Sequence, residues 1–397
     1  MKEQTKAGNQ RTLTVIIKKI KGLLKTETGL VYITLGNVGS SVLGGLLWFI
    51  LAGLLSVDDY GVVNYYIALA SIFFAVGLVG LDATMISFLA KGNKEIHYQA
   101  TSLTLISAAI IGSILAFYEL SLGLLAATMV LFMMTLAEKL GRKMYRQYAL
   151  ILIGQRIAQM ILSIALYFPF GILGILIGYL IGNLIFSFKY LLRTILNFTL
   201  QFSEINQKRN FALHSYSTNL VRNFTVYLDK LLIVPLFGYY LLGLYQLAFQ
   251  FFMFLSIVPL SLYSYLLPEE SSGQNRRTIK MLGLMVSVAA AVAAFIAFPY
   301  IIERFFTNFV DSIPIVRIMS LALIPATIVS ILNATLLGRG HSRTVFTAGL
   351  AYIISLIIGL IILGQILGSI GLAITLLAAQ TIQATYLLIK RKNVINK

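Results

Sequence analysis

The 397-residue chain contains no cysteine, and charged residues make up only 11% of it. The first absence excludes a disulfide scaffold, thiolate-ligated zinc or iron–sulfur centres, and a thiol nucleophile. The second excludes a soluble protein of this size. Soluble domains carry about 25% charged and about 45–50% apolar residues, whereas 58% of this chain is hydrophobic and its mean hydropathy is +0.88. Histidine is also scarce: His97, His214 and His341 are too scattered to form a metal site. There is no Walker A motif, no G-x-S-x-G and no H-E-x-x-H, and no long hydrophilic loop that could house a catalytic domain, an ATPase or the outer loop of a membrane glycan ligase. The expectation is a non-enzyme with no cofactor and no metal. Acidic residues are few, 14 against 31 Lys and Arg, leaving a net charge of +17. That excess means either nucleic-acid binding or basic cytoplasmic loops, and its distribution along the chain decides between them.

Long apolar runs are what the sequence has in abundance. A membrane-spanning helix needs about 20 mainly apolar residues, and twelve runs qualify: 30–55, 61–85, 100–117, 122–136, 149–168, 171–188, 211–237, 241–267, 281–302, 314–337, 345–363 and 366–389. The fourth is the shortest. Of the 31 basic residues, 26 fall before the first run, in the even-numbered loops or in the tail, and the odd-numbered loops carry only Arg304. The positive-inside rule therefore places both termini in the cytoplasm and accounts for the basicity without nucleic acid. Ahead of the first run, Leu13, Ile16, Ile17, Ile20, Leu23 and Leu24 fall on one side of a helix and Lys18, Lys19, Lys21 and Lys25 on the other, the pattern of an interfacial helix. A cleaved signal peptide would not interrupt its apolar core with lysines.

These runs predict an all-α integral membrane protein of about twelve transmembrane helices in two parallel six-helix bundles. The expected organisation is a cytoplasmic N-terminal segment (1–29), a first bundle (30–190), a cytoplasmic linker (191–210), a second bundle (211–390) and a tail (391–397). A duplication supports the pairing. At an offset of 197, Leu140, Gly141, Arg142 and Arg146 meet Leu337, Gly338, Arg339 and Arg343, and Gly171 and Gly174 meet Gly368 and Gly371. Nearer the front the offset is 182, where Asn37 meets Asn219 and Gly61 meets Gly243. Two six-span halves with both ends inside run in the same direction, so the repeat is a parallel one.

Ionisable groups inside a span cost about 2.5–3.5 kcal/mol each on the insertion scale, so they face a cavity or a partner. The seventh run is the densest: Tyr216, Asn219, Arg222, Asn223, Tyr227, Asp229 and Lys230 share one side of the helix. Arg222 and Asp229 stand two turns apart, either as an ion pair tying helices together or as part of a wet binding face. In the fifth run Gln155, Arg156, Gln159 and Ser163 form a smaller polar arc, in which Arg156 either faces a cavity or snorkels to the headgroups. Asp82 lies near the inner end of the second run. The interior thus holds Arg156, Arg222, Lys230 and Arg317 against Asp82 and Asp229, a balance that favours an anion.

Three stretches carry a family likeness. They are Ile50 to Gly61, with its acidic pair Asp58-Asp59 and Tyr60 before a glycine; Leu228-Asp229-Lys230-Leu231-Leu232-Ile233 followed by Gly243-Leu244-Tyr245-Gln246-Leu247-Ala248; and Ile315 to Met319, Leu336 to Gly340 and Gly368 to Ala373. With these the chain resembles the Wzx-type polysaccharide flippases of the multidrug/oligosaccharidyl-lipid/polysaccharide (MOP) exporter superfamily. The resemblance implies alternating-access transfer of an oligosaccharide linked to an isoprenoid phosphate or pyrophosphate across the cytoplasmic membrane. It implies a central cavity whose cations hold the lipid's phosphates, with membrane lipids and the glycosyltransferases and polymerase of the same pathway as partners. Arg222 and Lys230, supported by Asn219, Asn223 and Arg156, are then the expected anion-binding groups, with Asp229 orienting Arg222. Twelve runs fall two short of the lipid II flippase branch, which counts against a peptidoglycan substrate. The alternative is a cation-coupled exporter of drugs or organic cations from the sister branch, which calls for buried acids rather than buried cations.

Overall fold

A computed structural model describes residues 28–93 and 95–395; the side chains of Thr218, Arg222 and residues 392–395 fall outside the description. The interfacial helix expected within residues 1–29 lies outside it too. Among the described residues the chain is helical and has no strands. Lipid dictates this outcome, because it offers no hydrogen bonds to a backbone and a helix satisfies its own.

The α-helices in chain order are α1 (Thr28–Leu54), α2 (Val57–Leu78), α3 (Leu81–Leu89), α4 (Glu95–Ala116), α5 (Leu120–Gly141), α6 (Tyr145–Leu196), α7 (Ser203–Gln207), α8 (Arg209–Leu255), α9 (Ile257–Ser271), α10 (Arg277–Phe305), α11 (Ile313–Leu321), α12 (Leu323–Gly338) and α13 (Ser342–Ile395). A 3-10 turn, Thr307–Ser312, joins α10 to α11. Among the described residues nine stretches are long and apolar enough to cross a membrane, and three of them, of 49 to 52 residues, are double spans. Glycine breaks divide these three: Gly171 in α6, Gly238 in α8 and Gly368 in α13. Twelve crossings result, in a multi-pass membrane protein.

Some elements differ from the hydropathy reading. The short fourth run becomes a 22-residue helix, because α5 continues through Ala137, Glu138 and Lys139. Charge ends an apolar run but does not end a helix when the charge is paired, and Glu138 is. The second run is not one rod. It breaks at Val79 and Gly80, both at positive φ, and resumes as α3. The tenth run breaks at Ala322, three residues before Pro325, where the proline ring and missing N–H disrupt the preceding turn.

The described residues pack as two units, one of 28–44 with 73–220, the other of 45–72 with 221–395. In the first unit Leu81, Met85, Ala100, Val130, Met134 and Ala137 form the core that joins α3, α4 and α5. In the second, Leu262, Leu266 and Ala334 join α9 to α12, and Leu332, Leu336, Ala348 and Leu387 join α12 to α13. Large apolar side chains on the outside, such as Phe168 at 73% exposure and Ile366 at 71%, are suited to lipid contact.

The internal repeat is visible atom by atom. Gly171 (φ 57°, ψ −139°) and Gly368 (φ 56°, ψ −131°), 197 residues apart, adopt the same glycine-only backbone and reverse α6 and α13. Three residues later Gly174 and Gly371 bring helix against helix: a Cβ on Gly174 would lie 1.9 Å from the Leu166 carbonyl oxygen, and one on Gly371 1.9 Å from that of Leu363. Leu166 and Leu363 are themselves 197 apart. At the 182 offset, a Cβ on Gly61 would lie 2.0 Å from the Tyr239 carbonyl oxygen, and one on Gly243 2.0 Å from that of Val57. Val57 and Tyr239 are also 182 apart, so this pair of close approaches is symmetric.

Candidate functional site

In the first unit the polar residues of the fifth span assemble into a network. Small residues let the two limbs of α6 approach: Gly182 packs on Gln159 and Gly178 on Ser163. Gln155 Nε2 donates to Asn183 Oδ1 at 2.8 Å, and Gln159 Nε2 donates to the same oxygen at 3.1 Å. The Gln159 side-chain carbonyl is thereby turned toward Arg156, whose Nη1 donates to it at 2.9 Å. Arg156 Nε donates to Ser40 Oγ at 3.3 Å on α1, and the guanidinium carbon lies 3.9 Å from where a Cβ would stand on Gly44. Gln155, Gln159, Ser163 and Asn183 are buried and Arg156 is half-buried.

Arg156 lies nearly midway between Tyr145 and the break at Gly171. Its side chain is bonded to Ser40 on α1 and to Gln159 on its own helix. Among the described residues its hydrogen-bond partners are neutral, and no carboxylate stands within 4 Å of it. Two of its five N–H donors are held, which fixes the fork and leaves the others for an incoming acceptor.

Also in the first unit, Asn219 donates through Nδ2 to both oxygens of Asp82, at 3.2 and 3.1 Å. Asp82 is buried in the first turn of α3, where the helix dipole favours a negative group. Gly80 makes this possible, since it brings the α2–α3 corner against the start of α8; a Cβ there would lie 2.1 Å from the Ala212 carbonyl oxygen. A cavity of about 290 Å³ lined by Ala83, Phe211, His214, Ser215 and Asn219 opens beside this contact.

In the second unit Asp229 and Lys230 form a buried pair. Lys230 Nζ lies 3.2 Å from Asp229 Oδ1 and donates to the Val226 carbonyl at 2.9 Å. Tyr245 donates its hydroxyl to Asp229 Oδ2 at 2.9 Å. The ammonium stands over the ring of Phe249, 4.5 Å from its centroid, and over Tyr227 at 5.7 Å. The Asp229 carboxylate therefore takes its described partners from Lys230 and Tyr245, and the Lys230 charge is met inside its own turn of helix. The Arg222 side chain lies outside the described residues. Asn223 is half-buried on the same helix. Arg317, counted with the interior cations, is exposed on α11, with its guanidinium 5.6 Å from the Phe295 ring centroid.

Sequence reasoning placed Arg156 among the supporting groups and missed Ser40, Asn183 and Tyr245. Asn183 could have been found, because it is the repeat partner of Gln380. In the second half Tyr352 stands at the position matching Gln155 and Gln380 at that matching Asn183.

The described residues thus form a duplicated helical membrane fold with helix breaks in matching places. No protein-family model and no curated protein matches the sequence. Among solved structures the chain is similar to the lipid II flippase MurJ in an inward closed conformation, at 18% identity and a TM-score of 0.69 over 91% of this chain and 87% of that one. It is similar as well to an inward-facing multidrug resistance MATE family transporter of the MOP superfamily, at 15% identity and a TM-score of 0.71 over 92% and 95%. A MATE protein in the bent conformation aligns at 14% identity with a TM-score of 0.58 over 93% and 95%. The superpositions show the fold, and at identities this low they show the fold alone.

Proposed function

We propose that the chain is a transporter that moves oligosaccharides linked to an isoprenoid phosphate or pyrophosphate across the cytoplasmic membrane by alternating access, with both termini on the cytoplasmic side. The observation that carries this reading is Arg156: a half-buried guanidinium deep in a span, fixed by Ser40 and Gln159, with no carboxylate beside it. Guanidinium groups meet phosphate oxygens with two parallel hydrogen bonds, and in a low-dielectric setting an unneutralised one attracts an anion strongly. Ser40 and Gln159 act as positioning residues.

Arg222 remains a second proposed phosphate-binding group on the seventh span, with Asn223 as a supporting donor, whereas the Asn219 amide is given to Asp82. Asp229 and Lys230 neutralise each other, and we assign them the role of fixing that helix rather than of anchoring phosphate directly. The same fold in a MATE transporter keeps drug export as the competing reading. Export of organic cations would need a buried acid open to the substrate, whereas Asp82 is met by Asn219 and Asp229 by Lys230 and Tyr245. Proteoliposomes separate the two. The protein is expected to carry a fluorescent undecaprenyl-pyrophosphate oligosaccharide from one leaflet to the other and to leave an organic cation such as ethidium untouched. Ethidium transport without glycolipid transfer would reverse the assignment.

A further inference from the structure

A second cationic site lies in the first unit, where the ends of α4, α5 and α6 meet. Its floor is Glu138, which is buried, and around that one carboxylate stand four basic groups. Arg142 Nε is 2.8 Å away, Lys139 Nζ 3.7 Å, Arg193 Nη1 3.9 Å and His97 Nε2 4.0 Å. Lys189 completes the wall of a cavity of about 490 Å³ that Glu138, Lys139, Arg142 and Arg193 also line. A neighbouring cavity of about 240 Å³ shares Arg142 and Arg193 and is lined by His97, whose Nδ1 is buried with no hydrogen-bond partner. With His97 neutral, four permanent cations face one acid. Such an excess of like charge is unfavourable without a counter-charge.

The internal repeat supplies a comparison. At the equivalent corner of the second half, Arg339, the partner of Arg142, lies 3.7 Å from buried Glu270, which also pairs with Lys280. Two cations on one acid suffice there to fasten the corner. In the first half Lys189 stands where the second half has Tyr386, and Arg193, whose repeat partner is Lys390, also reaches within 3.9 Å of Glu138; neither is needed to hold Arg142 to that acid. The turn itself shows the same bias: the second half has Gly340 at φ 81°, where the first half places Lys143 at φ 59°, a backbone that disfavours any residue but glycine.

We propose that this cavity binds a phosphate group, with Arg142 and Arg193 gripping its oxygens and Lys139 and Lys189 adding charge. Two arginines converging on one space supply the planar forks that suit phosphate, and basic pockets between transmembrane helices suit anionic headgroups. The site stands apart from Arg156, and its existence does not depend on what the protein transports. The phosphate could be that of a membrane lipid or of a soluble anion, and both sources are tested below.

The test uses the full chain purified in detergent. Native mass spectrometry measures binding of phosphatidylglycerol against phosphatidylcholine, and calorimetric titration measures binding of inorganic pyrophosphate. The expected result is a preference for phosphatidylglycerol that falls roughly fivefold for each cation removed, so about 25-fold in K189Q/R193Q, and that persists in K189R, which keeps both the charge and the Arg193 fork. Pyrophosphate binding lost in the same variant would instead assign the site to a soluble phosphate. Arg193 and Lys189 are exposed enough for substitution, with half of the Arg193 side chain open; should the double variant fail to fold, R193Q alone gives the same reading at about fivefold. Absence of any preference for the anions, or a preference unchanged in the glutamine variants, would overturn the proposal.

Discussion

Removing the Lys230 ammonium while keeping its bulk, as in Lys230→Met, tests how charge is arranged on the seventh span. Asp229 is 3% exposed, and its described partners are Lys230 and Tyr245. Breaking a buried pair by deleting one partner costs about 3–5 kcal/mol, because the other charge stays buried. Tyr245 still donates to Oδ2, which places the expected loss near the lower end, about 3 kcal/mol. Asp229→Asn together with Lys230→Met removes both charges and keeps a hydrogen-bonding group for Tyr245, so most of that loss should return. Equilibrium unfolding by sodium dodecyl sulfate in mixed micelles, run on the two single variants and the double, gives the coupling energy directly. The account predicts a coupling of about 2 kcal/mol or more, and glycolipid transfer by the double variant close to that of the unaltered chain. Coupling below about 0.5 kcal/mol would refute the buried pair, and loss of transfer in a well-folded double variant would return Lys230 to the substrate site.

Three further outcomes follow from the same structure. Gly174→Ala and Gly371→Ala each force a Cβ into a carbonyl 1.9 Å away, so each should destabilise by at least the roughly 1–3 kcal/mol of an overpacked core; the two losses, read by the same unfolding assay, should be similar because the contacts are repeat-related. Ser40→Ala removes one long, charge-assisted hydrogen bond from Arg156, 3.3 Å, worth about 1.5 kcal/mol at the lower end for a charged donor, and should slow glycolipid transfer roughly tenfold in proteoliposomes without changing protein yield. In this cysteine-free chain, a single cysteine at Val226, which is 42% exposed, should react with a water-soluble maleimide, whereas one at Ser163, which is 0% exposed, should not; labelling at Ser163 would contradict the close packing of Gly178 on it.

The membrane fold was legible in the sequence because lipid leaves one option to a long apolar run, and the repeat was legible because glycines at close helix contacts cannot drift. Gly171 with Gly368, and Gly61 with Gly243, recur where backbone geometry or a 2 Å approach admits nothing larger. The site was less legible for two physical reasons. A helical wheel places Asp229 and Lys230 about 100° apart, yet a lysine stem is long enough to curl back, and Nζ reaches Oδ1 at 3.2 Å. A wheel also says nothing of partners distant in sequence: the bond of Asn219 to Asp82 spans 137 residues and that of Arg156 to Ser40 spans 116. Counting interior charges therefore indicated that an anion is favoured without revealing which cation is left to meet it. Glu138 hid in a similar way, since an acid at the end of an apolar run reads as solvated loop until the four basic groups around it are seen.

Arg156 carries the central claim, and transfer of a fluorescent lipid-linked oligosaccharide by Arg156→Ala and Arg156→Lys tests it most directly. Charge-assisted hydrogen bonds contribute about 1.5–3 kcal/mol, so Arg156→Ala should lose at least tenfold in rate. Arg156→Lys should recover only part of the loss, because an ammonium cannot hold Ser40 and Gln159 and still offer a fork to phosphate. Both variants should insert and unfold like the parent chain. Transfer by Arg156→Ala at the parental rate would contradict the account.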